Sequence, residues 1–232
     1  MISIKGHIAE HDSRQLKAIP LFSHLSAKHL KLIKASCKEI TIAKGSIILE
    51  QHEQTCDLYI VLSGKVKVSL IHHDGREIVL NILGESDFFG EMSFFDRKSR
   101  SAMISASTNV RMLFLPHDSF MKILNENADI SIQLLYGMAS RLRKANEAIE
   151  TLTFLDVAGR VAKFLIDQAE HGGEVMSDGN VRVVCPTHLT IAHQIGASRE
   201  AVTKAIKSLV SNGLISMRGR EVFISPCQFS IL

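Results

Sequence analysis

Short apolar runs separated by glycine fill residues 40 to 116, and their spacing predicts β-strands. The runs are Ser46-Ile-Ile-Leu-Glu50, Asp57-Leu-Tyr-Ile-Val-Leu62, Lys65-Val-Lys-Val-Ser-Leu70 and Glu77-Ile-Val-Leu-Asn-Ile-Leu83, punctuated by Gly45, Gly64, Gly75 and Gly84. His73-Asp-Gly-Arg76 reads as a two-residue hairpin turn. Regular short strands with turn signals predict a sandwich or barrel-like β domain.

From His117 the period lengthens to that of a helix. Asp118 to Leu124 predicts a short helix, and Asp129 to Phe154 a long one. Within the long pattern Leu135, Met138, Leu142, Ala145, Ile149 and Leu152 alternate at three- and four-residue spacing. That is the seam of a two-helix coiled coil and predicts a homodimer. Arg141, Arg143, Lys144, Glu147 and Glu150 flank the seam as a solvated rim. Beyond it Val157 to Ala169 is amphipathic, and His171-Gly-Gly173 stops it. Two short β-type stretches follow, Glu174-Val-Met176 and Val181-Arg-Val-Val184, then two helices and a hairpin with its turn at Arg218-Gly-Arg220.

The last pair of helices carries the most specific local signal. Thr187 can cap the first and Ser198 the second. Between them Gly196 suits a left-handed turn, and Ala192 is small where crossing helices approach. Val202, Ile206 and Leu209 share the inner face of the second helix, leaving Arg199, Glu200, Thr203, Lys204 and Lys207 outside. This is the pattern of a helix-turn-helix whose second helix enters the major groove. Arg can bind guanine O6 and N7, Glu can accept from cytosine N4, and Lys can reach guanine or phosphate. Arg218 in the following hairpin would join this surface.

Charge sharpens that reading. The whole chain of 232 residues carries only +3, yet residues 196 to 220 hold five basic side chains and one acid, Glu200. Hydrophobic content of 46% and charged content of 22% exclude a disordered chain. The cysteines, Cys37, Cys56, Cys185 and Cys227, are too far apart for a zinc ribbon or iron–sulfur cluster and read as reduced thiols of a cytoplasmic protein. Neither the His7/His11 pair nor His72/His73 makes a metal site, and no apolar run is long enough to span a membrane. There is no nucleophile–base constellation or Walker-type loop, so an enzyme is not expected.

One stretch of the β domain has chemistry of its own, Phe88-Phe-Gly-Glu-Met-Ser-Phe-Phe-Asp-Arg-Lys-Ser-Arg-Ser-Ala102. Gly90 permits close backbone approach, Glu91 can accept from ribose hydroxyls, Arg100 offers a planar fork to a phosphate, and Ser101 a hydroxyl. This stretch, Phe154-Leu-Asp-Val-Ala-Gly-Arg160 and Gly196-Ala-Ser-Arg-Glu-Ala-Val-Thr-Lys204 occur in the order seen in the cyclic-AMP receptor branch of the CRP/FNR regulators. The chain resembles that family from about Leu21 to Ile224.

The resemblance implies an α+β protein: a jelly-roll-like cyclic-nucleotide domain (residues 1–126), a dimerising helix and hinge (127–155) and a winged helix-turn-helix (156–232). It implies that Gly90, Glu91, Met92, Arg100 and Ser101 hold cyclic AMP, with Asn146 at the base. It also implies that Thr187, Ser198, Arg199, Glu200, Thr203, Lys204, Lys207 and Arg218 meet a palindromic double-stranded DNA operator, with RNA polymerase as partner. No haem, metal or iron–sulfur cluster is expected. Where the family commonly has Thr before the base-contacting Ser or Asn, this chain has Ala145, which leaves open a regulator that needs no ligand or answers to cyclic di-GMP. Lys204 stands where the family's third base-reading residue is Arg, so a relaxed operator preference is expected.

Overall fold

The computed structural model describes residues 2–4, 16–17, 19–23 and 25–225. His7, His11 and Cys227 lie outside them. The chain divides into two compact units, Met1–Leu142 and Arg143–Leu232.

In the first unit, strands β1 (Ile2–Ile4), β2 (Lys38–Ile42), β3 (Ile47–Leu49), β4 (Leu58–Ser63), β5 (Val66–Ile71), β6 (Glu77–Leu83), β7 (Phe88–Phe89), β8 (Met103–Ala106) and β9 (Val110–Leu115) form two antiparallel sheets, ordered β1-β2-β9-β4-β7 and β3-β8-β5-β6. Helices α1 (Ala27–Ser36), α2 (Glu91–Asp96) and α3 (His117–Glu126) complete it, with the start of α4 (Ala128–Phe154). The period of two along a strand explains the layering. Tyr59 and Val61 of β4 join Val110 and Met112 of β9 and Val66 and Ile104 of the second sheet in one core. Leu58 and Ile60, on the other face of β4, join Leu113, Leu115, Phe22, Phe120 and Leu134 in a second. β4 is therefore covered on both sides, which accounts for its unbroken apolar run.

The β5–β6 hairpin differs from the two-residue turn that the sequence predicts. The His72 N–H donates to the Arg76 carbonyl at 2.8 Å, and the Gly75 N–H to the His72 carbonyl at 2.9 Å. His73, Asp74 and Gly75 thus form a three-residue loop, with Gly75 at φ 85°. Only a residue free of Cβ strain closes such a loop cheaply.

The second unit holds α5 (Val157–Gly172), β10 (Glu174–Val175), β11 (Val181–Val184), α6 (His188–Ile195), α7 (Arg199–Ser211), β12 (Ser216–Arg218) and β13 (Glu221–Ile224). The strands pair antiparallel in the order β10-β11-β13-β12. Val161 and Leu165 of α5, Ile191 and Ala192 of α6, Val202, Ile206 and Leu209 of α7, and Val222 and Ile224 of β13 make its core. The architecture is the expected one: a β domain, a long helix and a winged helix-turn-helix.

Candidate ligand pocket and nucleic-acid interface

Gly90 carries φ 87° and opens α2. A Cβ there would lie 2.7 Å from both Arg100 Nη1 and the Asp57 carbonyl oxygen, so sterics as well as backbone conformation demand glycine. Arg100 is 2% exposed. Its Nε donates to Thr55 Oγ1 at 2.8 Å, its Nη1 to the Gly90 carbonyl and Ser93 Oγ at 3.1 and 3.2 Å, and its Nη2 to the Asp57 carbonyl at 2.9 Å. These four hydrogen bonds hold a buried guanidinium whose fork geometry suits a phosphate. The Tyr59 ring lies 5.9 Å from the guanidinium carbon.

Glu91 is buried as well, and its partner comes from the long helix: Arg141 Nη1 stands 2.7 Å from its carboxylate. Arg141 also donates to the Phe88 carbonyl and lies over the Phe88 ring, 4.7 Å from its centroid. One turn earlier on α4, Gly137 makes room for the same ring, since a Cβ there would meet Phe88 Cζ at 2.6 Å. A mid-helix glycine costs helix stability, and here it admits Phe88, the first residue of the stretch that carries Gly90, Glu91 and Arg100. Arg141 therefore departs from the solvated rim expected of it. The heptad count places it beside the seam, but the fold turns it onto Phe88 and Glu91.

Ser101 and Met92 also meet, the Ser101 hydroxyl donating to Met92 Sδ at 3.3 Å; both are exposed. Sequence reasoning missed Arg141, Thr55, Asp57 and Ser93. Arg141, Thr55 and Asp57 are brought in from distant positions and their local sequence carries no signal for it, whereas Ser93 lies inside the stretch itself, seven residues from Arg100. Asn146 and Ala145 are exposed on α4 in the second unit.

The second candidate surface is built as the capping residues suggest. Thr187 Oγ1 accepts from the Thr190 N–H at 3.1 Å and Ser198 Oγ from the Ala201 N–H at 3.1 Å. Gly196 takes φ 65°, and the Ala197 N–H closes on the Ala192 carbonyl at 3.0 Å. Arg160 of α5 donates from Nη1 to the Ile195 carbonyl at 2.8 Å, placing a cation where the α6 dipole ends negative. Ala192 is 2% exposed, the tight crossing its size predicts. On α7 Arg199, Glu200, Thr203, Lys204 and Lys207 together line one shallow concavity. In the wing, the Arg218 guanidinium carbon lies 5.5 Å from the Phe223 ring centroid. Among the described residues no cluster of three His, Cys, Asp or Glu side chains could hold a metal, and no helix is long and apolar enough to cross a membrane.

Residues 39–127 match the cyclic nucleotide-binding domain family, and residues 159–226 the Crp-like helix-turn-helix domain family. The chain is 35% identical to the CRP-like cAMP-activated global transcriptional regulator of Mycobacterium tuberculosis over 90% of its own length and 93% of that protein's. It is 31% identical to the cAMP-activated global transcriptional regulator CRP of Salmonella typhimurium, over 77% and 85% respectively. Among solved structures, the c-di-GMP responsive global regulator CLP of Xanthomonas campestris shares the fold with a TM-score of 0.72 at 22% identity, covering 86% of this chain and 99% of that one. With a cyclic nucleotide-binding domain, a Crp-like helix-turn-helix and these relatives along most of its length, the chain belongs to the Crp/Fnr family of DNA-binding transcription regulators.

Proposed function

We propose that this protein is a homodimeric, cytoplasmic, sequence-specific regulator whose DNA binding is set by a cyclic nucleotide, cyclic AMP in the first place. The observation that carries the reading is a buried guanidinium, Arg100, and a buried carboxylate, Glu91, flanking a glycine that only glycine can replace. A cyclic phosphate would exchange places with the protein acceptors on Arg100, and ribose hydroxyls would compete with Arg141 for Glu91. Arg141 belongs to α4, so its release would be felt by the helix that carries the apolar seam. A ligand acts only through unequal affinity for two states, and this exchange supplies such a difference. The residues on the concavity of α7, with Thr187, Ser198 and Arg218, would meet a palindromic operator, and RNA polymerase would be recruited there. The cAMP-activated relatives support this choice of ligand.

Calorimetric titration of cyclic AMP into wild type and Arg100→Leu tests it. Heat in the wild type and none in the variant is expected; equal heats in the two would overturn it.

A second reading has an observation of its own. Ala145 offers no hydroxyl, and Glu91 and Arg100 are already satisfied by the protein itself. This favours a regulator that binds DNA without ligand or answers to another nucleotide such as cyclic di-GMP. Gel-shift with each nucleotide and with none decides, and DNA binding indifferent to cyclic AMP would select the second reading.

A further inference from the structure

His188 opens α6 directly after the Thr187 cap and stands half-buried beside α7. Its Nδ1 lies 2.8 Å from Thr203 Oγ1, and the Thr203 hydroxyl donates to the Arg199 carbonyl at 2.9 Å. Threonine has a single hydroxyl proton to give. With that proton committed to Arg199, the bond between His188 and Thr203 is donated by the ring N–H at Nδ1. The other ring nitrogen, Nε2, is then the place where a further proton would bind. On α7 the charged groups beside Thr203 are Arg199, Glu200, Lys204 and Lys207, which share its concavity. On α5 Arg160 is engaged at the opposite end of α6, at Ile195, and Lys163 donates to Thr151. On α6 itself the other titratable side chain is His193.

We propose that His188 is a proton-dependent member of the DNA interface. Its Nδ1–H fixes Thr203, and with it the first turn of α7, while Nε2 gains a proton as a DNA phosphate oxygen comes to face it. The proposal rests on α7 being the groove-reading helix. Histidine is the side chain that changes charge near neutral pH. A phosphate beside the ring favours its charged form, so the complex holds the proton more tightly than the free protein. The sign follows. Binding takes up a proton, the gain in affinity is complete at low pH, and it is lost as pH rises through the value that the ring has in the complex.

The test measures affinity by fluorescence anisotropy, with cyclic AMP present, for an operator duplex selected from random DNA by the wild-type protein. Between about pH 8 and about pH 6 the wild type is expected to gain about tenfold more affinity than His188→Gln. At the lower pH its salt dependence should be steeper than the variant's by about one phosphate contact. Thr203→Val, which removes the acceptor that holds the ring, should flatten the pH profile as well and provides a second route if His188→Gln melts early. Parallel pH profiles and equal salt slopes for wild type and His188→Gln, with Arg199→Ala still weakening binding, would overturn the role of His188 alone. Affinity and base preference unchanged in Arg199→Ala would overturn the groove-reading helix and this proposal with it.

Discussion

Cys37 follows α1 with its side chain 1% exposed, and burial pushes its thiol from the ordinary 9.0 up to about 12. Tyr59, beside Arg100, is driven from 10.0 up to about 12, chiefly by burial, with the Arg100 charge pulling the other way. Both acids hold their protons more tightly folded than unfolded. Their contribution to stability is therefore complete below about pH 9 and lost as pH rises towards 12. Each group removes up to about 1.4 kcal/mol per pH unit inside that window. Urea unfolding followed by circular dichroism should show the wild-type midpoint falling above about pH 9, with a shallower fall in Cys37→Ala. Equal slopes in the two proteins would show that the thiol is not the cause.

At the scale of elements, what was legible depended on how local the signal is. The helix-turn-helix was readable because its parts speak to near neighbours. Thr187 and Ser198 each bond three residues ahead, Gly196 answers a backbone angle, and Val202, Ile206 and Leu209 obey one helical period. In the stretch around Gly90 and Arg100 the need for glycine was readable, yet the pairing at its centre was not. Glu91 and Arg141 come from different elements, and helical arithmetic alone assigns Arg141 to a wet rim. Sequence reading also passes over α1, although Ser26 caps it, accepting from the His29 N–H at 3.4 Å, and Leu30 and Ile33 bury one face. Where a residue's role is fixed by something distant along the chain, the pattern of its own neighbourhood points elsewhere.

For the whole molecule, the seam is the decisive feature. Leu135, Leu142 and Ile149 are each more than 60% exposed in the single chain, in a row along one helix. Apolar surface in such a row costs free energy until it is covered, and its heptad spacing fits a second copy of the same helix. Leu142→Lys should convert a dimer to a monomer in analytical ultracentrifugation and weaken operator binding with it; an unchanged sedimentation coefficient would exclude the seam as the dimer contact. The enclosure of Arg100 sets a further property, the speed of response. In the proposed regulator an incoming nucleotide would meet a guanidinium that is 2% exposed and already held by four hydrogen bonds. If the nucleotide binds at Arg100 as proposed, capture would wait for that cage to open, and the association rate should level off as nucleotide concentration increases. Stopped-flow mixing with a fluorescent cyclic AMP would reveal the plateau, and a rate that climbs in a straight line would deny it. A regulator built this way would be timed by its own breathing, and brief pulses of messenger would pass without being recorded.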